Sequence, residues 1–189
     1  SWGGYAATAI FHFDHEIAAS ASVSGFNDPM PMILEWGGDM MGPLIYLEYP
    51  FIWVNQKLTF GEIFDLTAAD ALNTPVLILH GDQDATVGFD TVSIIAQKDR
   101  ITNPNVQYIV CDKEGQNGHN SLFQSLDRNV YMDGLQAEYD GLYEAYDHNI
   151  PEEADREFYA SVDKFLASQV DEAFMERVVG FYQDAVRTT

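Results

Sequence analysis

The chain has 189 residues, 47% hydrophobic and 13% aromatic, which is enough for one packed domain and argues against disorder. Its 30 acidic and 9 basic residues give a formal net charge of −21, which disfavours binding to nucleic acid or to an anionic membrane surface. A single cysteine excludes an internal disulfide, and no apolar run reaches the ~20 residues of a membrane span. We therefore expect a cytoplasmic protein that binds neither nucleic acid nor membrane.

The first third of the chain predicts a helix, a strand and a mixed segment. Residues 3–13 are small and then apolar, which predicts a helix. Residues 17–27 are small and partly alternating and end near Gly25, which predicts a buried strand. Residues 28–66 are crowded with methionines and aromatics and broken by prolines and glycines, so we expect short helices with loops.

Two apolar runs predict neighbouring strands of one sheet. "PVLILHG" (75–81) begins at a proline and ends at a glycine, and "VQYIVCD" (106–112) has the same character. Such runs are typical of strands buried on both faces, hence of a parallel sheet covered by helices and an α/β fold class. A helix is predicted over 90–99, and Cys111 is expected to act as a small buried hydrophobe.

The last third predicts helices. Pro151, followed by acidic residues, indicates the start of a helix over 151–168, and Asp171 is a candidate N-cap for a final helix. The acidic side chains here are interpreted as solvated faces, and residues 140–147 lack the spacing of a calcium loop. No metal or cofactor is predicted.

Polar residues follow both predicted strands where functional loops of parallel sheets lie. Asp82 and Asp84 come directly after the first run, and His119 follows the second. Ahead of both stands Ser1, in a Ser-x-Gly-Gly turn that leads into the first helix. The order along the chain is therefore a serine, an aspartate and a histidine.

This order resembles the α/β-hydrolases, which carry G-x-S-x-G between a strand and a helix and a triad in the order Ser, Asp or Glu, His. Ser1-Trp2-Gly3 matches the second half of that motif, "HGDQDATV" resembles the acid loop and "GQNGHNSLF" the histidine loop. The resemblance is closest to the dienelactone-hydrolase and prolyl-oligopeptidase-like branch and covers residues 1 to about 127.

The resemblance implies a division of the chain. Residues 1–127 would be the C-terminal half of an α/β-hydrolase domain, a parallel sheet flanked by helices. Residues about 28–66 would be a helical cap insertion, and residues 128–189 a helical C-terminal extension packed on the same domain. The family's earlier strands are expected as a separate chain, as residues outside this sequence or as a swapped partner. A self-cleaved N-terminal nucleophile is the alternative, with its α-amine as base.

The resemblance also implies roles for four residues. Ser1 would be the nucleophile, His119 the general base and acid, and Asp84 the group that orients the imidazole. The backbone N–H of Trp2 would be one donor to the oxyanion, and the second donor would lie outside this chain. Asp82 is the alternative acid or a loop cap, and His80 is expected to be structural.

Substrate contacts are expected from the methionine- and aromatic-rich segment, with core packing as the alternative reading of the same residues. The candidates are Met30, Trp36, Met40, Met41, Tyr46 and Trp53. The predicted function is a serine hydrolase that cleaves an ester or amide of a small molecule or peptide. The alternative is a catalytically silent fragment or interaction module without a complete oxyanion hole.

Overall fold

A computed structural model describes residues 1–13, 16–60 and 73–188. These form a mixed α/β fold around three parallel strands, β1 (Ser20–Val23), β2 (Val76–Gly81) and β3 (Val106–Cys111), in the order β1-β2-β3. The predicted α/β class and the predicted parallel sheet flanked by helices are confirmed.

Seven α-helices lie in the described ranges. They are α1 (Trp2–Ala9), α2 (Pro29–Met41), α3 (Ile45–Phe60), α4 (Leu126–Ala145), α5 (Glu152–Ser161), α6 (Lys164–Ala167) and α7 (Glu172–Thr188). Short 3-10 turns occur at Ile10–His12, Gly42–Leu44 and Ile95–Gln97. Among these helices none is long and apolar enough to cross a bilayer.

The central strand β2 is buried along its whole length, as its apolar run predicts. Val76 and Ile78 belong to one hydrophobic cluster, and Leu77 and Leu79 belong to another, because successive side chains of a strand point to opposite faces. The first cluster also contains Ile94 and Ile95, and the second Leu122, Phe174 and Phe181. Each buried side chain contributes about 1.5–3 kcal/mol, so β2 anchors both layers.

Two serines fasten β1 to α1. The Ser20 hydroxyl donates to the Ala7 carbonyl at 2.6 Å, and the Ser22 hydroxyl donates to the Gly4 carbonyl at 2.8 Å. The small side chains of this strand therefore let the helix approach closely. The helix predicted over 3–13 is confirmed as α1, which ends at Ala9 and is followed by the 3-10 turn at Ile10–His12, and the strand predicted over 17–27 is shorter than expected.

The third strand differs from its prediction. Within the described residues it pairs with β2 alone, so it is an edge strand there, and Val110 is 46% exposed. Full burial on both faces was therefore the wrong expectation. Cys111 is half-buried rather than buried, and this burial raises the pKa of its thiol.

The prediction of a helix over 90–99 is also wrong. Only Ile95–Gln97 forms a 3-10 turn there. The preceding backbone pairs with a distant segment instead: the Asn27 N–H donates to the Val92 carbonyl at 2.9 Å, and the Ile94 N–H donates to the Gly25 carbonyl at 3.1 Å. These contacts take the hydrogen bonds that a helix would need.

The segment predicted to contain short helices with loops forms two longer ones, α2 and α3, of 13 and 16 residues. The Asp28 side chain caps α2 by accepting from the Met30 N–H at 2.8 Å. Pro50 lies inside α3 without ending it. Residues 61–66 of the predicted cap lie outside the described residues.

Three of the four C-terminal helices, α4, α6 and α7, begin at capping side chains, whereas α5 begins after Pro151. Ser125 caps α4 and Asp163 caps α6, so the helix predicted over 151–168 is two helices rather than one. Asp171 is confirmed as a cap, since its Oδ1 accepts from the Phe174 N–H at 2.8 Å. The Tyr139 hydroxyl in α4 donates to the Asp155 carboxylate in α5 at 3.1 Å, which joins the two helices.

Candidate active site

The loop after β2 holds one carboxylate in a fixed orientation. Asp84 is 5% exposed, and its Oδ1 accepts from the Thr86 N–H at 2.9 Å and from the Val87 N–H at 2.8 Å. Such a side-chain-to-backbone turn is typical of aspartate in a tight loop. The remaining oxygen, Oδ2, is left to face other side chains.

The histidine loop after β3 brings an imidazole to this carboxylate. His119 Nδ1 lies 2.8 Å from Asp84 Oδ2 and 3.0 Å from Oδ1. An ionised carboxylate only accepts hydrogen bonds, so Nδ1 carries the proton and Nε2 is the free base. The structure therefore brings together two of the predicted site residues in the geometry that their predicted roles require.

Asp84 is strongly stabilised as an anion. Burial favours its neutral form, but the His80 and His119 imidazoles and two backbone amides outweigh burial and hold the pKa of Asp84 well below its usual value. The carboxylate is therefore charged at neutral pH and able to stabilise a proton on His119.

Close backbone contact fixes the histidine loop against the acid loop. A Cβ on Gly81 would lie only 2.1 Å from the Asn117 carbonyl oxygen, which accepts from the Gln83 N–H at 3.0 Å. The Asn117 side-chain amide donates to Asp82 Oδ1 at 2.8 Å. Asp82 thus ties the two loops together, while Asp84 is the aspartate that contacts His119.

Ser1 lies at the N-terminus of α1. It is the N-cap residue, yet its side chain makes no capping hydrogen bond. Ser1 and His119 line one cavity of about 300 Å³, together with residues that include Ser24 and Phe123.

The N–H of Trp2 is the first amide of α1, and the first four N–H groups of a helix have no intrahelical acceptor. The positive end of the helix dipole adds to the attraction that this amide exerts on an anion. Trp2 therefore offers a donor beside Ser1, as the resemblance implies.

A glycine contact positions α1 over the end of β1. A Cβ on Gly4 would lie 2.6 Å from both the Gly25 Cα and the Val23 carbonyl oxygen. Gly3, one residue earlier, has nothing within 4 Å of such a Cβ. Only a glycine at position 4 permits the close approach that places Ser1 beside the carboxyl ends of the strands.

Ser24 is a site residue that the sequence analysis did not single out. It is buried, has a φ of +47°, and donates from its N–H to the Leu79 carbonyl at 2.9 Å. Its hydroxyl donates to the His119 carbonyl at 3.3 Å. The signal available in the sequence is a polar Ser-Gly pair at the end of a predicted buried strand.

His80 is fully buried at the end of β2, consistent with its expected structural role. Its Nε2 lies 3.0 Å from the Val87 carbonyl oxygen and 3.2 Å from Asp84 Oδ2. The Asp84 carboxylate is therefore flanked by two imidazoles, one buried and one lining the cavity.

None of the six predicted substrate residues lines the Ser1–His119 cavity among its described lining residues. Met30 is 2% exposed and packs in the interior, whereas Trp36, Met41, Tyr46 and Trp53 are exposed on α2 and α3. Met40 lies in α2, and its side chain is outside what the structure describes. Their contact with substrate remains a prediction.

A larger cavity of about 800 Å³ lies at the amino ends of β2 and β3. Its lining includes Asn73, Asn105 and Asp184, but no serine, cysteine or histidine among the described residues. The smaller cavity is lined by both Ser1 and His119, the residue types that acyl transfer requires, so it is the candidate active site.

Comparisons of the chain with protein-family models, with curated proteins and with solved structures found no significant match. The functional assignment therefore depends on the residues and on their geometry. In the described ranges no group of three or more His, Cys, Asp or Glu side chains is placed to hold a metal ion.

Proposed function

We propose that this chain carries the catalytic triad of a serine hydrolase of the α/β-hydrolase type, which cleaves an ester or amide bond. The observation that carries the proposal is the 2.8 Å contact between His119 Nδ1 and Asp84 Oδ2, with the same imidazole lining a cavity beside Ser1. A base oriented by a buried acid and placed near a hydroxyl is the arrangement that activates a serine.

In the proposed reaction the Ser1 hydroxyl attacks the substrate carbonyl and its proton passes to His119 Nε2. Asp84 stabilises the imidazolium, and the Trp2 N–H donates to the oxyanion of the tetrahedral intermediate. His119 then gives the proton to the leaving group, which departs and leaves an acyl group on Ser1. Water, deprotonated by His119, hydrolyses this ester in a second round of the same steps.

The proposal includes a strand beside β1. In the described residues β1 pairs with β2 alone. The N–H groups of Ser20 and Ser24 donate toward β2, so those of Ala21 and Val23 face the other edge. We propose that a strand from outside the described residues pairs there and that a loop attached to it supplies the second oxyanion donor. Slow amide exchange at Ala21 and Val23 in the intact protein supports this, and rapid exchange contradicts it.

The cavity suits a small acyl group, since about 300 Å³ is at the lower end of ligand pockets. Trp2 is 58% exposed beside Ser1 and offers an apolar surface for the rest of the substrate. The net charge of −21 favours neutral or cationic substrates over anionic ones.

Turnover of short-chain aryl esters by the purified protein tests the proposal. We expect hydrolysis that Ser1→Ala abolishes and that Ser161→Ala leaves unchanged, because Ser161 is exposed and its hydroxyl donates to the Phe158 carbonyl within its own helix. Equal turnover by both variants, or no turnover by a folded protein over the whole panel, contradicts the proposal. The second outcome favours a silent interaction module.

A further inference from the structure

His80 is buried at the base of the acid loop, where it contacts both ends of that loop. Its Nε2 is 3.0 Å from the Val87 carbonyl oxygen and 3.2 Å from Asp84 Oδ2. The Val87 N–H in turn donates to Asp84 Oδ1 at 2.8 Å. The three residues thus form a closed ring of contacts under the carboxylate, and neither Ser1 nor the substrate cavity is part of it.

The environment of His80 fixes its tautomer. A peptide carbonyl and an ionised carboxylate only accept hydrogen bonds, so the Nε2 that faces both must carry a proton. Nδ1 is buried and has no hydrogen-bond partner among the described residues. A proton there would be a buried donor without an acceptor, which is strongly unfavourable. Among the described groups, the contacts of His80 therefore fit the neutral Nε2–H tautomer.

The neutral state of His80 matters for the charge on Asp84. Two imidazoles contact this carboxylate, but His119 is the one whose side chain is partly exposed and lines the cavity. A positive His80 would neutralise the carboxylate before His119 gained its proton. A neutral donor orients the carboxylate, and the negative charge of Asp84 remains available to stabilise the proton that His119 gains.

We propose that His80 is a positioning residue for the triad: its single Nε2–H, shared between Val87 and Asp84, holds Asp84 in the orientation that receives His119. This inference rests on the proposed hydrolase function. It goes beyond a packing role, because it requires a donor at this position and not merely a side chain of similar volume.

Two substitutions at position 80 distinguish a hydrogen-bond donor from a side chain that only occupies the same volume. A glutamine amide reaches roughly as far as the imidazole Nε2 and donates, whereas leucine fills space without donating. We expect His80→Leu to lower kcat about 100-fold, the typical effect of a small misplacement in a catalytic site, with KM within about twofold. His80→Gln should keep kcat within about tenfold of the unmodified protein. His148→Asn removes an exposed imidazole at a position with a φ of +68°, which asparagine tolerates, and as the control it should change neither constant.

A spectroscopic measurement tests the tautomer without reference to activity. In ¹⁵N NMR of the imidazole nitrogens at pH 7, we expect His80 to show a protonated Nε2 and an unprotonated Nδ1. His119 should show a protonated Nδ1 that shifts in His80→Gln, because both side chains contact the same carboxylate.

The outcomes are distinguishable. A protonated Nδ1 on His80, or equal losses of kcat in the glutamine and leucine variants at equal melting temperatures, overturns the inference. If His80→Leu does not fold, the tautomer of His80 measured by NMR and the kcat of His80→Gln still test the inference. If Ser1→Ala retains full turnover, the proposed function fails, and the NMR spectrum alone then decides whether His80 holds Asp84.

Discussion

The carboxyl ends of the strands and the α2–α3 segment are organised in opposite ways. At the strand ends, short loops are held by side-chain hydrogen bonds to backbone, and the key groups, Asp84 and His80, are buried. In α3 most of the described large apolar side chains are exposed, and Leu58 is 82% exposed. One region fixes polar atoms in place, and the other presents apolar surface.

This difference shows where a role can be read from structure. At the strand ends Asp84, His119 and Asn117 have hydrogen-bond partners that restrict their orientation, so a chemical role follows from a distance. On α3, the exposure of a side chain does not show what that side chain contacts. A substrate-lining role for these residues therefore remains a prediction. The predictions below test this difference, beginning with the largest expected effect.

The carboxylate at position 84 should matter far more than the one two residues before it. Asp84→Asn should reduce kcat about 10⁴-fold, because the amide favours the wrong imidazole tautomer of His119. Asp82→Asn should reduce kcat less than about tenfold, since Asp82 contacts Asn117 and not His119. Ester turnover measures both. Larger losses in the Asp82 variant would assign the acid to Asp82 instead.

Close backbone contacts should make glycines at the strand ends irreplaceable. Gly81→Ala places a Cβ 2.1 Å from the Asn117 carbonyl oxygen, so we expect a loss of about 1–3 kcal/mol in the free energy of unfolding and reduced turnover. Gly134→Ala in α4 has nothing within 4 Å of its Cβ and should stabilise by about 0.5–1 kcal/mol. Urea denaturation compares them, and equal stabilities would mean that the loops do not approach this closely.

The same comparison applies to α1. Gly4→Ala meets the Gly25 Cα and the Val23 carbonyl oxygen at 2.6 Å, whereas Gly3→Ala meets nothing within 4 Å. We expect Gly4→Ala to lower the free energy of unfolding by about 1–3 kcal/mol and Gly3→Ala to raise it slightly. Thermal and urea melts measure the difference. If Gly4→Ala is as stable as Gly3→Ala, α1 does not pack against β1 in this way.

Acid should destabilise the site through Asp84. Its pKa is lower in the folded protein than in the unfolded chain, so its contribution to stability is complete above about pH 4, the ordinary aspartate value. The contribution falls below that pH with a limiting slope of about 1.4 kcal/mol per pH unit, because the unfolded chain binds the proton more tightly. Asp84→Asn should remove this part of the slope. An unchanged slope between pH 4 and pH 2 would show that Asp84 is not held as an anion.

The smallest effect is expected on the exposed face of α3. Leu58→Ser should change the free energy of unfolding by less than about 0.5 kcal/mol, as for other exposed positions. Ile45→Ala, at a buried position of the same helix, should lower it by about 2–4 kcal/mol. A large loss in Leu58→Ser would mean that this face is covered in the intact protein.

Elements that depend on local pattern were predictable from the sequence. The continuous apolar run of β2 and the cap at Asp171 needed no distant contact, and both are confirmed. The order of Ser1, Asp84 and His119 predicted a common site for these residues. The two strand-end loops bring Asp84 and His119 together.

What could not be predicted depends on contacts between distant segments. The segment 90–99 has a helical pattern, but its backbone pairs with residues 25–27. The exposure of β3 depends on its position at the edge of the sheet, which its own sequence does not encode. The contact of Ser24 with the histidine loop joins residues 95 positions apart.

The most direct test of the triad is the site of labelling by a serine-reactive fluorophosphonate. Cleavage after Glu16 isolates the peptide that contains residues 1–16, of which Ser1 is the only serine. We expect mass spectrometry to place the adduct on Ser1 and labelling to disappear in Ser1→Ala and to fall steeply in His119→Ala. An adduct on another serine, or none on the folded protein, would contradict the assignment of Ser1, His119 and Asp84 as a catalytic triad.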